Sequence, residues 1–194
     1  MTADRARRLQ ELAPWVAGAL LAAPVLAFRY PPMGDLPMHE ALVAIMRHAG
    51  EPAWGHGLYV FVVPQANQLF DYLALALSFA LPTDTACKLV VALTLVGSVA
   101  GTATLLARLG RSRWAALLVA PVVCGWMFRW GLVANLLGFA VLAAVAPTLE
   151  SLASRPTAGR ATRAIAAVVL VFLAHESSAV VFALIAAYFA VVRS

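Results

Sequence analysis

Leu89-Val90-Val91-Ala92-Leu93-Thr94-Leu95-Val96-Gly97-Ser98-Val99-Ala100-Gly101-Thr102-Ala103-Thr104-Leu105-Leu106-Ala107 decides the fold. No charge interrupts this run, and about 20 apolar residues in a helix are what a hydrocarbon core of about 30 Å requires. The rest of the chain has the same character. Of 194 residues, 63% are hydrophobic and 12% charged, with a mean hydropathy of +0.87. A soluble domain of this length could neither expose nor bury so much apolar surface, so lipid is the solvent. The expected fold class is all-α, a polytopic transmembrane helix bundle forming a single domain over 1–194.

Working outward, residues 13–28, 114–128, 132–146 and 164–192 are further apolar runs of spanning character. His175-Glu176-Ser177-Ser178 interrupts the last, which makes it one tilted helix or two short ones. Residues 69–81 are apolar but short and carry Asp71, a length typical of re-entrant or interfacial segments. Between the first run and this one, residues 29–68 form a long polar interruption rich in Pro, Gly and His. Within it, Met38, Leu42, Ile45, Met46 and Ala49 share one helical face while Glu40, Arg47 and His48 share another. That pattern predicts an amphipathic surface helix in the first outer loop.

The formal charge is +5. The basic residues cluster beside apolar runs, as Arg5, Arg7 and Arg8, then Arg108, Arg111 and Arg113, then Arg155, Arg160 and Arg163. Such placement marks cytoplasmic loops and argues against nucleic acid as a partner. The first cluster is like the n-region of a signal peptide, but no small-residue cleavage site follows, so an uncleaved signal anchor with a cytoplasmic N-terminus is expected. An even number of crossings must separate basic clusters. That parity holds when 69–81 does not cross, and it turns the 29–68 loop, Arg129 and the His175 region outward. Cys87 and Cys124 provide neither a disulfide framework nor a CxxC metal site.

Four places carry chemistry. In Gly34-Asp35-Leu36-Pro37-Met38-His39-Glu40, Asp35 and His39 stand one helical turn apart. There a carboxylate could serve as general base, or Asp35 and Glu40 could hold a divalent cation such as Mg or Mn. Asp35 before Pro37 is equally a good N-cap. Arg129, flanked by Trp130 and Gly131, offers a planar fork of donors for a phosphate or diphosphate; Arg and Trp are also common interfacial anchors. Asn135, in the next run, is placed to line a cavity or to bond a neighbouring helix. His175 and Glu176 lie eleven to twelve residues into an apolar run, where ionisable groups usually face a cavity. They could instead mark a turn, with Ser177 or Ser178 capping the second helix. For Asp71 a structural role is expected. His39, His48 and His56 match no zinc spacing.

Taken in order, Gly34-Asp35-Leu36-Pro37-Met38-His39, Leu105-Leu106-Ala107-Arg108-Leu109-Gly110, Trp130-Gly131-x3-Asn135-x2-Gly138 and Phe172-Leu173-Ala174-His175 resemble the GT-C-type superfamily of polytopic membrane glycosyltransferases. The resemblance implies a protein of the bacterial inner membrane that moves a sugar from a polyprenyl-phosphate-linked donor to an acceptor on the outer face. It implies Asp35 as catalytic base, His39 and Glu40 as helpers or metal ligands, and Arg129 as the donor-phosphate residue. Trp130, Asn135, His175 and Glu176 would line the cavity. Asp35 is followed by Leu36, so the paired Asp-Glu of the protein mannosyltransferase branch is absent. Members are usually longer, so the resemblance raises the expectation of a fragment or a degenerate copy. The competing expectation is a non-catalytic membrane protein, either a transporter subunit with His175 and Glu176 on a solute path or a partner-binding helical scaffold.

Overall fold

The computed structural model describes residues 3–54 and 57–192, so His56 lies outside the described residues, as does the side chain of Arg7. Among the described residues ten α-helices follow one another: α1 (Ala3–Ala27), α2 (Leu36–Arg47), α3 (Leu69–Ser78), α4 (Thr83–Arg108), α5 (Val119–Val123), α6 (Trp126–Trp130), α7 (Val133–Val145), α8 (Pro147–Ser154), α9 (Ala158–Ala174) and α10 (Glu176–Val192). Short 3-10 helices occupy Pro52–Trp54 and Arg113–Leu118. Among the described residues, three stretches are long and apolar enough to cross a membrane, at Arg8–Ala27, Thr83–Arg108 and Val133–Ser154.

The apolar run that opens the sequence forms most of α4, which has Asp84 in its first turn and Arg108 in its last, both favourable to the helix dipole. This helix is the centre of the molecule, packed between α1 and α7. Small residues set both contacts, because in lipid helices gain by close approach rather than by escape from water. At Gly18 an added Cβ would stand 2.8 Å from Val96 Cα, which leaves room for glycine alone. Gly97 and Gly101 face Ala140, Ala143 and Ala144, so α4 and α7 run parallel. By contrast, α1 runs antiparallel to α4: Ala17 and Leu21 share a cluster with Val99 and Ala103, whereas Ala22 and Val25 join Cys87, Val90 and Val91. Thr94 and Ser98 are buried in α4 and donate to Val90 O and Thr94 O at 2.8 Å, so neither hydroxyl is left unbonded.

Two ends follow from this packing. Arg5, Arg8, Arg108, Arg160 and Arg163 belong to one; Asp35, α2, α3 and the start of α4 belong to the other. The ten residues of α3 reach about 15 Å, half of a hydrocarbon core, and pack on α2 and α4. Residues 114–128 return between the ends in pieces, a short 3-10 helix followed by α5 and α6. Pro121 lacks an N–H there, and a Cβ on Gly125 would lie 3.0 Å from Pro121 O. The apolar run 164–192 is two helices rather than one, joined by His175 alone in an extended conformation (φ −165°, ψ 132°). Both arms return to α8, α9 through Arg160 and Ser151, α10 through Ala186 and Phe189 beside Leu149 and Leu152.

Within 29–68, α2 turns Leu36 and Val43 to the core, leaving Met38 at 62% exposure. The face used for packing is thus the one that carries Glu40 and Arg47, with the Arg47 guanidinium 5.7 Å from the Phe79 ring. The same segment is not polar throughout. Leu58, Tyr59, Val60, Phe61, Val62 and Val63 stand exposed in sequence, outside any helix. Large apolar side chains are also exposed along α1, α9 and α10, including Trp15, Leu20, Ile165, Phe172, Val180 and Leu184, the outward surface of a lipid-solvated bundle.

Candidate functional site

Asp35 occupies the N-cap position of α2 without capping it. The N-cap side chain normally accepts from the second or third helical N–H. Here the second residue is Pro37, which has none, and the third, Met38, donates to Asp35 O at 3.0 Å. The N-cap expectation therefore holds for position and fails for the hydrogen bond. The half-buried carboxylate is not engaged by its own helix.

The backbone around Asp35 is fixed instead by a segment nearly a hundred residues away in sequence. Gly34 N–H donates to Arg129 O at 3.1 Å, and Asp35 N–H to Trp130 O at 2.9 Å. Gly131 ends α6 in the left-handed region at φ +75°, and a Cβ there would lie 2.7 Å from Asp35 N. Only glycine fits this approach without strain. Arg129 and Trp130 are exposed beside this clamp, with the rings of Trp126 and Trp130 6.1 Å apart. The segments of Asp35 and Arg129 are thus joined by main-chain bonds.

His39 is not directed at Asp35. Its Nδ1 lies 2.8 Å from Oδ1 of Asp71, which is 3% exposed, and its ring meets Phe70 edge-on at 5.3 Å. The pair fastens α2 to α3, a structural role for Asp71. Glu40 lies near Asp84 and Lys88, with Lys88 Nζ 3.7 Å from Asp84 Oδ2. Burial first and the Asp84 carboxylate second push the Glu40 pKa above its ordinary value, against a smaller pull from Lys88. Asp35 and Glu40 consequently have different surroundings. Among the described residues no three His, Cys, Asp or Glu side chains gather into a metal-holding group.

His175 and Glu176 occupy the corner between α9 and α10. The Ser177 N–H points to His175 Nδ1 at 3.2 Å and Ser177 Oγ lies 2.7 Å from the same nitrogen. Histidine, rather than Ser177 or Ser178, therefore supplies the cap of α10; with Nδ1 accepting, the assigned tautomer carries its proton on Nε2. Gly138 of α7 lies against this corner, where a Cβ would come within 2.6 Å of both His175 Cβ and Ser178 Oγ. Asn67 Oδ1 accepts the Glu176 N–H at 3.0 Å, pinning the end of the 29–68 segment to the same corner. Asn135 is half-buried one turn before Gly138.

Sequence reasoning missed three partners in this region: Asn67, Asp84 and Lys88. Asn67 had a local signal, since Pro64-Gln65-Ala66-Asn67 is turn-rich. Asp84 and Lys88 are spaced four apart at a helix start. What the chain comprises, among the described residues, is a small all-α protein with three candidate membrane-spanning helices. No protein family, curated protein or solved structure matches this chain.

Proposed function

We propose that this protein is a membrane transferase that moves a sugar from a polyprenyl-phosphate-linked donor to an acceptor hydroxyl on the outer face of a bacterial inner membrane. The observation that carries this reading is the main-chain clamp between Gly34-Asp35 and Arg129-Trp130, which joins the segment of a carboxylate that does not cap its helix to the segment of an exposed arginine. In the proposed step the acceptor oxygen attacks the sugar carbon, the bond from that carbon to the donor phosphate oxygen breaks, and the acceptor proton passes to Asp35. Arg129 holds the negative charge left on the polyprenyl phosphate through its planar donors. Trp130, Asn135, His175 and Glu176 would border the acceptor and donor. His39 and Glu40 act through the position of α2. Among the described residues no third His, Cys, Asp or Glu joins Asp35 and Glu40, and the step is written with this chain's own side chains.

The test is sugar transfer by the purified chain in liposomes, supplied with polyprenyl-phosphate-linked hexoses and a hydroxyl acceptor. Asp35→Asn is expected to reduce transfer by about 10²–10⁴-fold, the usual worth of a positioned general base, without loss of folded protein. Arg129→Ala is expected to weaken donor use. Wild-type transfer by Asp35→Asn would remove the mechanism, and no transfer by the wild-type chain would favour a non-catalytic membrane protein.

A further inference from the structure

The opposite end of the bundle carries a second feature, independent of the proposed transfer. Arg108 at the end of α4 and Arg160 and Arg163 near the start of α9 converge on one cavity of about 160 Å³, floored by Pro147, Thr148 and Ser151 of α8. Two of the sequence's basic clusters, fifty residues apart, are thereby joined in space. Arg160 is held in place, with Nη1 donating to Ser151 O at 2.8 Å and Arg155 O at 3.0 Å. Among the described residues no carboxylate lies within ion-pair distance of Arg108, Arg160 or Arg163. Three like charges around one cavity repel one another, a repulsion that water screens at the exposed Arg108 and Arg163 and that an entering anion relieves. Positive charge marking the cytoplasmic side needs no such convergence, since loop arginines fulfil that role separately.

The geometry points to a binding site for a phosphate group in the Arg108–Arg160–Arg163 cavity. The guanidinium forks match phosphate oxygens in pairs, and the cavity holds about five waters' worth of liquid, room for a phosphate ester. The same chemistry is presented by an anionic phospholipid headgroup and by a free phosphate ester. A neighbouring cavity of about 620 Å³, lined by Leu105, Leu109, Leu184, Tyr188 and one carboxylate, Glu150, gives an acyl chain a largely apolar surface and favours the lipid.

The experiment measures binding to the full chain in detergent, using phosphatidylglycerol, phosphatidylcholine and inorganic phosphate as separate probes, with native mass spectrometry for the lipids and thermal unfolding for phosphate. The wild type is expected to retain phosphatidylglycerol over phosphatidylcholine. Arg108→Gln and Arg163→Gln should each weaken that retention about fivefold, the worth of one arginine near an anionic surface, while Arg111→Gln outside the cavity leaves it unchanged. Stabilisation by inorganic phosphate that is lost in the same two variants, without lipid preference, assigns the site to a free phosphate ester. If the glutamine variants do not fold, Arg108→Lys and Arg163→Lys keep the charge and lose the paired bonds, and weaker retention is expected from them. Equal binding of every probe by the wild type and all cavity variants overturns the proposal.

Discussion

Glu40 has less water around its carboxylate in the fold than in the unfolded chain, and the Asp84 carboxylate adds to the penalty on its charged form. With its pKa raised on folding, the folded state binds more protons than the unfolded one across the interval between the two values. The sign of linkage is then fixed: the Glu40 contribution opposes stability increasingly as pH rises from the ordinary carboxylate range through the raised value. Glu40→Gln should therefore raise the melting temperature at neutral pH in detergent, with the gain shrinking in acid; a gain independent of pH would exclude this cause. His39 gives the opposite result, because removing it leaves Asp71 buried without its 2.8 Å partner. His39→Ala should cost about 1–3 kcal/mol in unfolding experiments. The types of these residues were visible in sequence but their partners were not: His39 and Asp71 are 32 residues apart, and helical spacing carries no information about contacts between elements.

At the scale of elements, the left-handed turn at Gly131 decides where α2 begins, because the amides of Gly34, Asp35 and Leu36 crowd against its missing side chain. Gly131→Ala adds about 1–2 kcal/mol of backbone strain and drives a methyl into that contact. The expected outcome is lower thermal stability together with reduced transfer, as Asp35 moves with its clamp. Gly159→Ala is the control. It lies within α9 where a Cβ meets open space, so a gain of about 0.5–1 kcal/mol is expected there. Long helices were legible because an uninterrupted apolar run has one solution in lipid, a helix with its main chain internally bonded. Breaks were half legible. The polar tetrad at 175–178 announced an interruption, but whether the second arm continues or returns depends on contacts with α8, which no local pattern encodes.

For the whole molecule, the packing of α1, α4 and α7 sorts every loop to one of two ends. Single cysteines introduced into a background lacking Cys87 and Cys124 should fall into two labelling classes in sealed vesicles. Gln65→Cys and Ser177→Cys are expected to react from one side, and Ser112→Cys and Ser154→Cys from the other. Reaction of Gln65→Cys and Ser112→Cys from the same side would contradict a membrane crossing by α4. The amphipathic segment shows why such placement outruns sequence. Periodicity picked out the face bearing Met38, whereas Leu36 and Val43, on the face that also bears Glu40, meet the core, because the partner surface on α3 and α4 supplies His39 and Glu40 with polar neighbours.

The single residue between α9 and α10 has a bearing on how the two arms are held. Each arm has seventeen residues, about 25 Å, somewhat short of the hydrocarbon core, and each leans on α8 at its far end. With one residue at the corner there is no slack between the arms, and His175 with its cap sets the direction in which the second departs. The first arm meets α7 and α8, which precede it in the chain, whereas α10 adds its contacts to α7, α8 and α9 last, so glycines inserted at the corner are expected to loosen α10 while α9 keeps its place.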